Sequence, residues 1–231
     1  MNFSTKYKRL LLTAAVVLTG LSSAPSYAST PILGALEVDA ETMYRFVAER
    51  NPSFDRRIAE AFYEVGLTYG IRGDIALCQA IIETGWFRFD NGTAVRPEAH
   101  NYCGLGVHTR GEKGCSFSSP REGVTAMIQH LYAYCCHDPL PEGEMVSDPR
   151  FRLVLRGSAP TWESLSGRWA MNHHYGTNIL KIYSQLSGLA QRQPRQQVEQ
   201  REVNVPADVW ADIPYVQAEE SFDENIQYLF K

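Results

Sequence analysis

The chain has 231 residues with 44% hydrophobic residues and a formal net charge of −4. Three basic residues and no acidic ones lie in the first 28, so the remainder carries 19 Lys and Arg against 26 Asp and Glu, a net charge of −7. This acidic balance argues against nucleic acid as a partner, because phosphate binding needs a basic surface. The remaining length is enough for one domain with a hydrophobic core and appendages.

The first 28 residues have the pattern of a secretory signal peptide. Lys6, Lys8 and Arg9 form a basic start, residues 10–21 an apolar segment, and Ser26-Tyr27-Ala28 a small-x-small cleavage site. The apolar segment is short for a membrane span. We expect export and cleavage after Ala28, which leaves a protein of the cell envelope or exterior without stable membrane association; an uncleaved anchor is the alternative.

Beyond this segment, hydrophobic periodicity predicts a mostly helical domain over residues 39–190. The predicted helices cover residues 39–50, 54–69, 75–86, 121–136, 162–169 and 175–189, with a helical turn at 148–155. Residues 87–119 are rich in Gly, Asn, Thr and His and show no helical period, so we expect a small irregular lobe there. Its candidate β-hairpin joins residues 101–107 to residues 115–117. Residues 191–206 have the composition of a linker and residues 207–231 form an acidic tail.

The helix predicted at 75–86 carries one carboxylate, Glu83, just ahead of Gly85 and Trp86. Apolar residues surround most of its circumference, which is typical of a buried helix, and Asp74 is a candidate cap. A carboxylate at the end of such a helix is partly desolvated, which raises its pKa and makes it a candidate proton donor. The alternative is a Glu that emerges into solvent at the end of the helix.

Cysteine usage has to be interpreted together with export. The chain has five cysteines, at positions 78, 103, 115, 135 and 136. In an oxidising compartment disulfides are expected, and Cys103 with Cys115 is the first candidate pair. Cys78 is either a free core thiol or the partner of Cys135 or Cys136. The His and Cys spacing around the lobe fits no standard zinc pattern, so no metal site is predicted.

Four segments resemble one known family and occur in its order. They are Ala80–Trp86 with its E-T-G-W ending, Asn101–Gly106, Phe117–Gly123, and the pair formed by Gly167–Ala170 and Tyr175–Tyr183. The resemblance extends over roughly residues 54–190. The sequence is similar to the bacterial endo-β-N-acetylglucosaminidases of glycoside hydrolase family 73, which cut cell-wall glycan.

The resemblance implies an α+β, mostly α, lysozyme-like helical domain with a small β-hairpin lobe. It implies hydrolysis of the β-1,4 bond after N-acetylglucosamine in peptidoglycan strands, by a monomer that needs no cofactor. Glu83 takes the general-acid position, and Tyr175 matches a tyrosine near the sugar whose bond is cut. The residues implied to bind substrate are Trp86, Asn101, Tyr102 and Trp169.

The second catalytic carboxylate is harder to assign. In the family it lies in the lobe, where Glu112 is the candidate for activating water in an inverting reaction. Asp90 and Glu98 are alternatives, and the substrate's own N-acetyl group is another. The sequence departs from the family pattern at Cys103, where an aromatic residue is usual, and at Met171–His174, which replaces an Asp-Pro approach to Tyr175. The first departure implies a lobe fixed by a disulfide.

Two other functions compete with this interpretation. A lytic transglycosylase also uses one Glu on a lysozyme-like fold, but the E-T-G-W and G-L-G segments fit the glucosaminidases better. A catalytically silent glycan-binding protein of the envelope belongs to a different class. The intact acid helix, lobe and tyrosine segment argue against it.

Overall fold

A computed structural model describes residues 29–90, 95–107 and 113–203 of the chain, with side chains described as far as residue 192. The helices are α1 (Ala40–Ala48), α2 (Arg56–Tyr69), α3 (Gly73–Thr84), α4 (Pro120–Cys135) and α5 (Tyr175–Val203), with 3₁₀ turns at Pro97–Ala99, Phe151–Leu153 and Glu163–Leu165. Within these ranges extended pairing is limited to three isolated bridges. The domain is therefore mostly helical, as expected, and the predicted β-hairpin is not confirmed.

Local signals account for where most helices begin and end. The side chain of Asp39 caps α1 by accepting from the Thr42 N–H at 2.7 Å, and Gly70 ends α2 in the left-handed conformation. Helix α3 is buried on nearly every side and packs against both α2 and α5. The predicted fully buried helix is thus confirmed, and it forms the centre of the domain.

Helices α2 and α3 approach each other at two glycines. A Cβ atom on Gly73 would lie 2.0 Å from the carbonyl oxygen of Phe62, and one on Gly66 would lie 2.9 Å from the Cα of Gly73. Only glycine allows the two backbones to come this close. The position of α3 against α2 therefore depends on the absence of these side chains.

The start of α3 differs from the predicted cap. The helix begins at Gly73, so Asp74 lies inside its first turn, where its buried carboxylate accepts from the N–H groups of Ile75 and Glu37, each at 3.0 Å. Asp74 also pairs with Arg72 at 3.1 Å. The Arg72 guanidinium donates to the Tyr183 hydroxyl of α5, and that hydroxyl donates to Glu37 at 2.6 Å. This cluster ties the start of α3 to α5.

The lobe between α3 and α4 is organised by one side chain instead of a strand ladder. The Asn101 amide donates to the carbonyls of Leu105 and Cys115 at 2.9 and 3.0 Å, and its oxygen accepts from the Leu105 N–H at 3.0 Å. The Cys115 N–H also donates to the Leu105 carbonyl at 2.7 Å. The expected Cys103–Cys115 disulfide is wrong for this structure, because all five cysteines are free thiols.

The C-terminal part of the domain departs from the predicted bounds. The helix expected over residues 162–169 is only the 3₁₀ turn Glu163–Leu165. Helix α5 does not end at residue 189 but continues to Val203, through much of the predicted linker. The predicted signal peptide and acidic tail lie outside the described residues. No helix in the described part of the chain combines the length and the apolar character that a membrane span requires.

The close crossing of α2 and α3 generates a stability prediction. Gly73→Ala should lower the free energy of unfolding by about 3 kcal/mol, since the new methyl group meets rigid backbone. Gly188→Ala in α5 is the control, because the nearest atom to its Cβ is the end of Arg192 at 3.9 Å. That change should raise stability by about 0.5–1 kcal/mol. Urea denaturation measures both, and equal effects would contradict the assigned crossing.

Candidate active site

Glu83 occupies the last full turn of α3, where the chain leaves the core. Gly85 ends the helix in the left-handed conformation, with φ 60° and ψ 58°. Three aromatic residues that follow also have positive φ, namely Trp86 at 62°, Phe87 at 56° and Phe89 at 56°. Bulky residues rarely adopt this conformation, and such strain is concentrated at functional sites. The chain therefore turns sharply just after the carboxylate.

A chain of hydrogen bonds connects Glu83 to the start of α5. The Tyr175 hydroxyl donates to Oε1 of Glu83 and accepts from Nε2 of Gln79 at 2.9 Å. Gln79 lies one turn before Glu83 on α3, so both face the same way. Because a phenol has a single proton, the bond from Gln79 leaves that proton for Glu83. The direction of the chain is therefore fixed from Gln79 to Glu83.

The electrostatic state of Glu83 follows from its burial. Desolvation raises the pKa of the Glu83 carboxyl, while hydrogen bonds from the Tyr175 and Trp169 side chains lower it and only partly offset the rise. Burial, followed by the charge of Glu83, raises the pKa of the Tyr175 hydroxyl, which therefore stays protonated. No other carboxylate of the described residues contributes to the shift at Glu83. The predicted desolvated carboxyl is thus present.

The structure brings some of the predicted site residues together. Glu83, Tyr175 and Trp169 form one cluster. Trp86 instead packs on α1, with its ring 5.5 Å from that of Phe46 and beneath the Arg50 guanidinium at 4.3 Å.

Asn101 and Tyr102, also predicted to bind substrate, are 0% and 1% exposed. The ring of Tyr102 packs on Phe87 at 5.7 Å. Asn101 is thus enclosed in the lobe, whereas Tyr102 also lines a groove next to α2. Direct contact of either side chain with substrate stays a prediction.

The candidates for the second carboxylate are not placed in this cluster. Glu112 lies outside the described residues. Asp90 and Glu98 are exposed, and Glu98 borders a groove of about 290 Å³ on the α2 side of the lobe. No group of three or more His, Cys, Asp or Glu side chains in the described ranges could hold a metal ion.

Two groups at the site were not predicted from the sequence. Gln79 is one, although a glutamine within an otherwise apolar buried helix, one turn from Glu83, was an available signal. The other is the pair formed by His130 on α4 and Asp148, whose Nδ1 and Oδ2 atoms are 2.7 Å apart. The His130 ring meets the Trp169 ring edge-on at 5.0 Å. No local pattern links these residues, because they come from separate segments.

Comparison with known proteins agrees with this geometry. A family model for glucosaminidases, described as mannosyl-glycoprotein endo-beta-N-acetylglucosaminidase, matches residues 59–188. An uncharacterized protein of Borreliella burgdorferi is 39% identical over 150 residues, which cover 63% of this chain and 72% of that protein. No solved structure matches. The family match therefore identifies a glycoside hydrolase. Within that class, the chain belongs to the glucosaminidase family.

The raised pKa of Glu83 predicts a pH-dependent stability effect. Between the ordinary Glu pKa and the raised one, the folded state binds more protons than the unfolded state, so the free energy of unfolding falls as pH rises. Glu83→Gln removes the ionisable carboxyl and therefore this pH-dependent fall in the free energy of unfolding. The variant should exceed the original protein by on the order of 1 kcal/mol at pH 7, and the difference should shrink toward zero below the ordinary Glu pKa.

Thermal and urea unfolding at several pH values measure this difference. Glu49→Gln is the control, because Glu49 is exposed at the end of α1. A Glu83→Gln variant that is less stable at pH 7, or whose advantage is the same at every pH, contradicts the desolvation argument.

Proposed function

We propose that this chain is an exported endo-β-N-acetylglucosaminidase that hydrolyses the β-1,4 bond after N-acetylglucosamine in peptidoglycan. The hydrogen-bond chain from Gln79 through Tyr175 to Glu83 is the observation that carries the proposal. Family membership supports action on a peptidoglycan glycan strand. We expect the protein to act as a monomer in the cell envelope or outside the cell.

In this mechanism Glu83 is the general acid. Its raised pKa favours the protonated carboxyl that donates to the glycosidic oxygen. Because Tyr175 donates to Oε1, the carboxyl proton is carried by Oε2, which is left for the leaving oxygen. After proton donation, the same hydrogen bonds from Tyr175 and Trp169 stabilise the carboxylate that forms. Burial thus favours the protonated carboxyl before the transfer, and the hydrogen bonds stabilise the carboxylate after it.

The second step of the reaction needs a nucleophile. We assign the activation of water to Glu112, in the loop of the lobe. In this scheme Glu112 acts on the face of the sugar opposite to Glu83. Asp90 and Glu98 are the other protein candidates. Assistance by the substrate's acetamido group is the route that needs no second carboxylate.

The aromatic residues have distinct proposed roles. Trp169, half-buried beside Glu83, is the residue most directly placed to pack on a sugar face. Trp86, Asn101 and Tyr102 act indirectly, by fixing the chain after α3 and the interior of the lobe. Substrate affinity should therefore respond more strongly to replacement of Trp169 than of Trp86.

Glu83→Gln tests the proposed function. The change should lower the rate of peptidoglycan hydrolysis by at least about a hundredfold, because removal of a general acid typically costs 10²–10⁴ in rate. Turbidity clearing and mass spectrometry of the released fragments measure rate and product, and Glu49→Gln is the matched control.

The fragment ends decide between the reactions. A reducing-end N-acetylglucosamine supports the proposal, whereas an anhydromuramic end identifies a lytic transglycosylase. Wall binding without cleavage by the original protein identifies a silent glycan-binding protein. Clearing that is unchanged in Glu83→Gln removes Glu83 from the mechanism.

Tyr175→Phe gives a prediction with a definite sign. The hydroxyl lowers the pKa of Glu83, so its loss should raise that pKa further and move the high-pH limb of kcat/KM to higher pH. The rate at the optimum should fall about tenfold, because the newly formed carboxylate loses a donor. Tyr63→Phe on α2 is the control for loss of a hydroxyl. A high-pH limb that stays in place or moves to lower pH contradicts the role assigned to Tyr175.

A further inference from the structure

A second polar cavity lies directly behind the candidate active site. It has a volume of about 300 Å³, and Tyr134, Leu153 and Ser158 form part of its lining. Its remaining polar lining is cationic or titratable and comprises His130, Arg150 and Arg168. None of these side chains has a part in the proposed proton transfer, so the cavity is unexplained by the reaction.

One indole ring connects the cavity to the catalytic acid. The Trp169 side chain lies close enough to Glu83 to lower the pKa of its carboxyl. The same ring meets His130 edge-on at 5.0 Å and lies 5.9 Å from the ring of Tyr134. His130 and Tyr134 both line the cavity. A ligand held beside Glu83 is therefore separated from the cavity by the width of one side chain.

The charges around the cavity favour an anion. The guanidinium groups of Arg150 and Arg168 both act to lower the pKa of the Tyr134 hydroxyl, although burial outweighs them and raises it. Both cations are thus close to the same hydroxyl. Among the described residues, the carboxylate of this region is Asp148. Its side chain is 0% exposed, lies 2.7 Å from Nδ1 of His130 and accepts from the backbone N–H of Arg150 at 2.8 Å. The described lining therefore offers two guanidinium groups, with one enclosed carboxylate beside it.

Arginine is suited to one class of anion in particular. A guanidinium donates two parallel N–H groups to a carboxylate, so it fixes the orientation of that group as well as matching its charge. Arg150 and Arg168 both line the cavity. The ligand that this lining fits best is therefore a carboxylate.

Building on the proposed function, we propose that this cavity binds a carboxylate carried by the muramic acid side of the glycan. The group has two sources in peptidoglycan: the lactyl carboxylate of a bare muramic acid, and a carboxylate of the stem peptide that amidates it. Glu83 acts on the bond to be cut, while Arg168 and its neighbours bind the carboxylate of the ligand on the other side of the Trp169 ring. The cavity thereby selects alternating wall glycan over uncharged N-acetylglucosamine polymers.

The test measures affinity in the full chain carrying Glu83→Gln, so that ligands are not consumed. Three tetrasaccharides of alternating N-acetylglucosamine and N-acetylmuramic acid are compared by calorimetry. One carries free lactyl carboxylates, one carries neutral lactyl methylamides, and one carries stem dipeptides. We expect at least one charged ligand to bind about tenfold more tightly than the methylamide, as is typical of a charge-assisted hydrogen bond. The ligand that shows the preference identifies the source.

Arg168 is exposed, so its replacement should not disturb folding. Arg168→Met should abolish the preference for the charged ligand, and Arg168→Lys should retain part of it. Arg45→Met is the matched control, because Arg45 is an exposed arginine on α1, which contributes no residue to the cavity. That variant should keep the full preference. Raised salt should weaken the preference in the original protein.

Equal affinity for all three ligands, or a preference that survives Arg168→Met, overturns the inference. So does failure of every ligand to bind. Hydrolysis of the same glycans by the protein with Glu83 intact separates this result from the proposed function. Cleavage without charge preference rejects the cavity assignment and leaves the hydrolase standing. A preference that depends on Arg168 without any cleavage rejects the hydrolase and leaves the cavity assignment standing.

Discussion

The hydrogen bond from Gln79 to Tyr175 is the constraint on which the site depends, because it decides where the tyrosine proton goes. It forms only if α3 and α5 meet in one register. Two features of the fold set that register: the close crossing of α2 and α3 at Gly73, and the Arg72 cluster that ties the start of α3 to α5. Both lie at the opposite end of α3 from Glu83. The geometry of the acid is thus determined about two to three helical turns away from it.

This arrangement has an energetic cost that the core has to offset. Burial disfavours the carboxylate form of Glu83, which proton donation leaves behind, and Gln79 keeps a buried side-chain oxygen without a hydrogen-bond partner among the described residues. Each of these features destabilises the folded state. Helix α3 provides the offset, since its apolar side chains are almost completely removed from water. A helix that is buried on nearly every side is what allows a carboxyl to be held protonated at its end.

The sequence was most informative where the physics is local. Helical periodicity and the position of Glu83 at the end of an apolar helix depend on neighbours within a turn or two, and both were predicted. The lobe was misjudged because the Asn101 side chain replaces the backbone ladder that a hairpin would supply. The pairing of His130 with Asp148 left no signal, since it requires α4 and a distant loop to be packed first. The catalytic role of Glu83 stays a prediction.

Arginine side chains near a general acid pose an electrostatic problem, because nearby cations lower the pKa of a carboxyl and favour its deprotonation. The structure avoids this outcome at Glu83. Burial and two hydrogen bonds account for the shift of its pKa, and neither Arg150 nor Arg168 is among the causes. Trp169 lies beside Glu83 and also contacts His130, which lines the cavity together with the two arginines. The buried carboxylate of Asp148 also neutralises part of the positive charge on the cavity side of the Trp169 ring. A carboxylate-binding cavity and a protonated acid are therefore compatible in one cleft because an uncharged ring separates them.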